Sequence, residues 1–160
     1  MNHNVTKKFI ATFLAIISIF SLISIQAFAK NNEDRAFAFT FYSNGKMDYY
    51  TTGLRKEDDS GTYLKYNSGT ATSAYFRVFG SSTSTFLGAY MYNETKGDKA
   101  FVWRGQEGCI RQYVYENRNA RYNGTPYAFL QGTVDVVSDS SSTATGVWSP
   151  DTLGSYTYFN

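Results

Sequence analysis

Histidine is almost missing from this chain: the only one is His3. Cysteine is reduced to Cys109, proline to Pro126 and Pro150, and charged residues make up only 18% of the sequence. These shortages exclude whole classes of chemistry. With no histidine after residue 3, the body of the chain cannot assemble a Ser-His-Asp or Cys-His nucleophile, move protons through imidazole, or build most zinc sites. A lone cysteine closes no internal disulfide and supplies no Cys-rich metal cluster. No Gly-rich phosphate loop of the P-loop or dinucleotide-binding type is present. The remaining catalytic option is two carboxylates facing each other across a cleft, as in glycoside hydrolysis. Asp48, Glu116 and Asp135 fall on expected strands, and sequence spacing alone does not show that any two of them meet. The sequence therefore predicts a protein without catalytic residues, cofactor or metal.

Long apolar runs are scarce too, except at the start. The first residues end in Lys7-Lys8, Phe9–Ile25 is broken only by Thr and Ser, and Gln26-Ala27-Phe28-Ala29 offers a small-x-small cleavage site. This is the three-part pattern of a secretory signal, with cleavage expected after Ala29. An uncleaved anchor is the rival reading, but Phe9–Ile25 falls short of the roughly 20 apolar residues a span needs. Cys109 lies too far from that site for lipid attachment, and "SPDTLGSYTYFN" at the C-terminus is no apolar sorting tail. The expected product is one secreted domain, residues 30–160, released or loosely held at the cell surface, with no stable membrane insertion.

Charge adds a further exclusion. Removing residues 1–29 takes away two of the fifteen basic side chains, Lys7 and Lys8, and none of the thirteen acidic ones. Equal numbers of each sign remain. Such a domain has no global field to gather nucleic acid or anionic membrane, so nucleic acid is not an expected partner.

What the chain does have is aromatic residues, turn residues and alternation. Ala36–Tyr42 places Phe37, Phe39 and Phe41 on one strand face. Ser43-Asn44-Gly45-Lys46 follows as a tight hairpin turn, with Met47–Thr52 pairing back. Further short runs are Thr62–Asn67, Ala71–Phe79, Phe86–Tyr92, Lys99–Arg104, Cys109–Glu116, Tyr127–Val137, Thr143–Trp148 and Ser155–Phe159. Runs this short, broken by turn signals about every ten residues and without helical periodicity, predict an all-β fold. The expected architecture is a single antiparallel β-sandwich or a partly open barrel. The acidic stretch Glu57-Asp58-Asp59-Ser60-Gly61 lacks the alternation and closing Glu of a calcium loop and reads as a solvated turn.

One stretch, "GCIRQYVYENRNARYNGTPY", concentrates the chain's cysteine, three arginines and several tyrosines. It admits two readings. In the structural one, Ile110 and Val114 are buried, the tyrosines lie on the outer surface and Arg111 stacks against them. In the functional one, Arg111, Tyr113, Tyr115, Arg118, Arg121 and Tyr122 form a ligand-binding face able to stack on sugar rings or pair with phosphate and carboxylate groups. Cys109 reads as a small buried residue, with no His or second Cys to activate it.

Two motifs carry a resemblance: "NNEDRAFAFTFYSNG" and, near the end, "TATGVWSPDT" with Gly146, Trp148, Pro150 and Asp151. They resemble a family of small secreted proteins of Gram-positive bacteria catalogued as a domain of unknown function. The closing motif looks structural, Trp148 as core anchor and Pro150 as strand stop. The tail Thr152–Asn160 departs from that family's ending. A weaker likeness, in composition and in "SYTYFN", is to secreted β-sandwich bacteriocins, a family that acts on cell-wall precursor assembly. The leading expectation is a monomeric or weakly self-associating, non-enzymatic binding protein at or beyond the cell envelope, its partner a cell-wall polymer or surface glycan. The alternative is a bacteriocin-like competition factor.

Overall fold

Small residues alternating with phenylalanine give Arg35–Phe41 (β1) one wet face and one apolar face: Phe37, Phe39 and Phe41 are buried while Ala36 and Ala38 are exposed. The computed structural model describes residues 31–42, 49–134 and 141–159. The expected signal segment, the turn at residues 43–46, Asp48 and Asp135 lie outside them. Nine further strands follow among the described residues: Tyr49–Tyr50 (β2), Leu54–Arg55 (β3), Thr62–Ser68 (β4), Ser73–Ser81 (β5), Tyr92–Asn93 (β6), Ala100–Trp103 (β7), Glu107–Ile110 (β8), Tyr127–Thr133 (β9) and Ser142–Ser149 (β10). They build two antiparallel sheets. One has the order β1-β10-β4-β8; the other runs β2-β9-β5-β6, with β3 also on β9 and β7 also on β5.

The two sheets pack face to face as a sandwich, not as a closed barrel. Phe37, Phe39, Leu64, Tyr66 and Trp148 from one sheet meet Phe76, Val78, Val102 and Leu130 from the other in a single apolar cluster. Each such side chain contributes about 1.5–3 kcal/mol by leaving water. Two glycines make room for the first strand's rings. A Cβ on Gly132 in β9 would come within 2.4 Å of the Phe39 ring. One on Gly146, at the bulge where β10 slips against β4, would come within 2.0 Å of the Lys65 carbonyl oxygen and 2.7 Å of the Phe37 ring. Trp148 is buried as expected.

Four local expectations need correction. Tyr49-Tyr50 does not pair back on β1; it joins β9 in the other sheet, where Tyr50 meets Phe79 at 5.3 Å and its hydroxyl accepts a 2.6 Å bond from Gln131. Phe86–Tyr92 is mostly a loop with a 3-10 turn at Gly88–Tyr90, entered through the positive φ of Gly88. The strand expected to reach Glu116 stops at Ile110, because Gln112 bonds the Val114 amide and the chain turns. Ser155–Phe159 is no strand: it touches β8 through one parallel bridge, Cys109 to Tyr158. One helical turn, Arg118–Arg121 (α1), lies between β8 and β9. No helix among the described residues is long and apolar enough to cross a membrane.

Candidate functional site

After β6 the chain leaves one sheet and crosses toward the other. Glu94 still bonds β5, its amide donating to the Val78 carbonyl at 2.9 Å, and Thr95 replaces the next rung with its hydroxyl on the Val78 amide. Thr95 then bridges to Gln112, and the Lys96 amide donates to the Arg111 carbonyl. The crossing closes this side of the sandwich and carries Lys96 alongside the segment after β8. Glu94 fixes the rest. Its carboxylate, buried to 4% exposure, accepts from Asn117 Nδ2 at 2.7 Å, Arg121 at 3.1 Å and the Tyr122 hydroxyl at 2.5 Å. One acidic side chain thus docks α1 and both its flanks.

The six residues expected to form a binding face divide here. Arg111, Tyr113, Tyr115, Arg118 and Arg121 lie at or near the surface. Tyr122 does not: it is buried to 1%, packed against Gly80 and bonded to Glu94. Burial and the Glu94 carboxylate push its hydroxyl pKa well up, because a phenolate there would face a buried negative charge. It is therefore a support of the face. A single tyrosine in a loop gives no sequence pattern by which burial could be told from exposure.

The remaining cations share one geometry. Lys96 Nζ lies 5.5 Å from the centre of the Tyr113 ring, Arg111 4.4 Å from Tyr158, Arg118 4.0 Å from Tyr115 and Arg121 4.8 Å from Tyr92. Such stacking holds a flexible cation in place without neutralising it. Arg121 is also paired with Glu94, but Lys96, Arg111 and Arg118 form no ion pair among the described residues. A cleft of about 150 Å³ brings Lys96, Arg111, Tyr113 and Tyr158 together with Asp59 and Glu116. Neither Lys96 nor Tyr158 was among the residues expected. They come from the crossing segment and the tail, which only the fold places beside residues 111–116.

Two other surfaces stand out. On the outer face of the six-stranded sheet, Tyr75, Phe101 and Trp103 form a row with ring centres 5.1 Å apart, and Lys99 lies 3.7 Å over Tyr75. The rings are tilted by 51° and 83° to one another, so they offer no continuous flat platform, although Trp103 is half exposed. The alternation of Tyr75, Arg77 and Phe79 was the signal for this face. A groove of about 410 Å³ opens between β1 and the Tyr50–Leu54 stretch, walled by Phe37, Phe39, Leu54 and Trp148. Its rim cation, Arg35, is already paired with Glu33 at 2.7 Å.

Next to the Arg111 cleft sits a second polar centre that the sequence reading did not isolate, linked to it through Ser60, whose carbonyl accepts from Gln112 Nε2 at 3.0 Å. Asp151 is fully buried and accepts from Lys56 Nζ at 2.5 Å, the Glu57 amide at 3.1 Å and the Asn31 amide at 3.1 Å. Lys56, also buried, donates to the Ser60 carbonyl at 2.7 Å and lies 3.5 Å from Asp58. The acidic turn is therefore clamped from below by a lysine as well as facing solvent. Burial pushes the Asp151 carboxyl above the ordinary carboxylate range, and Lys56 pulls it back only in part.

Cys109 is buried at the sheet edge beneath the tail, whose Thr157 carbonyl accepts its amide at 2.9 Å. Burial pushes its thiol pKa up, which keeps it protonated and unreactive. Glu116 lies in a turn, not on a strand. No group of three His, Cys, Asp or Glu side chains among the described residues could hold a metal ion.

No curated protein and no solved structure matches this chain. The sequence model of one protein family matches residues 25–152, a span that takes in both motifs of the resemblance and the whole sandwich but leaves out the tail from Leu153 on. On that match the chain belongs to the family described as "Protein of unknown function (DUF2712)".

Proposed function

We propose that the protein is a secreted, non-enzymatic binding protein that engages an acid-bearing glycan or wall polymer of the cell envelope through the cleft at Lys96, Arg111, Tyr113 and Tyr158. The observation that supports this is the set of cations held against tyrosine rings without carboxylate partners among the described residues. A cation so held keeps its charge for a ligand phosphate or carboxylate and loses little freedom on binding. The exposed Tyr113 and Tyr158 rings offer apolar contact surface to sugar rings. Asp59 and Glu116, in the same cleft, can accept bonds from sugar hydroxyls.

The test is co-sedimentation of the purified protein with isolated cell-wall polymer at several salt concentrations. Saturable binding that weakens with salt is expected, and the double variant Lys96→Ala, Arg111→Ala should bind at least about tenfold more weakly. Equal binding by wild type and variant would remove the cleft from consideration. Growth inhibition of neighbouring strains, scored in parallel, would favour the competition-factor reading instead.

A further inference from the structure

The contact between Lys56 and Asp151 joins the two sheets. Lys56 directly follows β3 in the six-stranded sheet, and Asp151 closely follows β10 in the four-stranded one. Nζ and Oδ1 are 2.5 Å apart, and neither side chain is exposed at all. Every other ion pair among the described residues has at least one partner partly in reach of solvent. Asp58 places its Oδ1 3.5 Å from the same Nζ.

We propose that Lys56 and Asp151 condense into an intramolecular isopeptide bond, with the Asp58 carboxylate as proton relay, so that the folded sandwich is covalently stapled from sheet to sheet. The reaction starts from the ion pair. An ammonium is no nucleophile and a carboxylate is a poor electrophile, but a buried site disfavours charged forms. Transfer of one proton from Nζ to the Asp151 carboxyl yields a neutral amine beside a neutral acid. The upward push on Asp151 favours that protonated acid.

The amine lone pair then attacks Cγ of Asp151 and the N–C bond forms. Asp58 takes a proton from the nitrogen and delivers it to the departing Asp151 oxygen. The C–O bond breaks and one water leaves, through the cleft of about 400 Å³ that Asn32, Asp34, Ser149 and Asp151 line. The products are an amide and water, so no oxidant, reductant or cofactor is needed. The fold holds the amine nitrogen against an oxygen of the carboxyl group it attacks, which replaces collision with a local concentration far above any reachable in solution. The Ser60 carbonyl, accepting from Nζ at 2.7 Å, orients the amine. A chain with one cysteine has no disulfide to offer, and this bond would link residues 95 positions apart.

Tryptic digestion of the purified full chain followed by tandem mass spectrometry tests the bond. Cleavage is expected to fail after Lys56, and peptide 56–65 should be recovered joined to peptide 122–160, lighter than the two together by one water. Cleavage after Lys56, with 57–65 and 122–160 recovered as separate, unmodified peptides from folded wild-type protein, would overturn the proposal. Asp58→Asn tests the relay in the same digest. A folded variant without the bond supports the assignment, and full cross-linking in that variant overturns it. Should Asp58→Asn not fold, Asp58→Glu keeps the carboxylate at an altered reach: partial cross-linking supports the relay, and unchanged yield overturns it.

Discussion

Glu94 and Asp151 are both buried carboxylates that gather donors from distant parts of the chain, yet they hold different things. Glu94 collects Asn117, Arg121 and Tyr122, all from one short segment, and its cationic partner is 43% exposed. Asp151 collects Lys56, Glu57 and Asn31, and its cationic partner is not exposed at all. The first arrangement fastens a surface segment that carries the proposed binding cleft. The second fastens one sheet to the other. Removing a carboxylate from beside an exposed arginine lets water take over; removing it from beside a buried lysine leaves a charge that water does not reach, held only by the Ser60 carbonyl and the more distant Asp58 carboxylate.

The sharpest way to break this comparison is Asp151→Ala. We expect a loss of at least about 3–5 kcal/mol in unfolding free energy, measured by urea titration, because the variant gives up the proposed sheet-to-sheet bond and leaves the Lys56 ammonium buried without its main partner. An effect as small as that of a surface pair would mean that water reaches this corner. Glu94→Gln comes next. It keeps the shape but withdraws a charged acceptor, so a loss of about 1–3 kcal/mol is expected. Its effect should be local: faster amide hydrogen exchange in residues 111–122 than in β5 and β9, together with weaker polymer binding. Exchange that rises equally everywhere would place Glu94 with Asp151 as a global tie.

Alkaline titration gives a smaller and graded effect. The Tyr63 hydroxyl is pushed from 10.0 to about 12 by burial and by the nearby Glu107 carboxylate, and burial also pushes Tyr66 and Tyr122 upward. The folded state therefore holds these protons more tightly than the unfolded chain. The stability they contribute is full below about pH 10 and is lost as pH rises through about 12 for Tyr63. Urea midpoints should fall across that window, and Tyr63→Phe should flatten the fall. The smallest effect is expected from Trp103→Ala. This ring is half exposed on the far sheet face, so stability should change by about 0.5 kcal/mol or less and binding at the Arg111 cleft should not change. A loss of polymer binding would move the site to that face.

What was legible in the sequence is the part governed by local alternation. Phe37, Phe39 and Phe41 had to share one face because strand side chains alternate, and Ile110, Val114 and Trp148 are buried as their apolar character demands. The arginines and tyrosines of residues 111–121 were legible as a cluster, since they are adjacent in the chain. Lys96 and Tyr158 were not, because they reach that cluster from either side of it. Lys56 and Glu94 were missed for a further reason: lone charged residues between short strands read as solvated, and nothing local to them shows otherwise.

The sequence by itself determined the all-β class, the apolar faces of the strands, and the lack of histidine and paired cysteine that removes so many chemistries. Those properties depend on composition and on a two-residue period. Tertiary structure alone decided which charges are buried, which cations lie on which tyrosines, and that Lys56 meets Asp151 across 95 positions of chain. The environment of a charge is the sum of groups delivered from separate strands. Only the packing of the two sheets brings those groups within bonding distance.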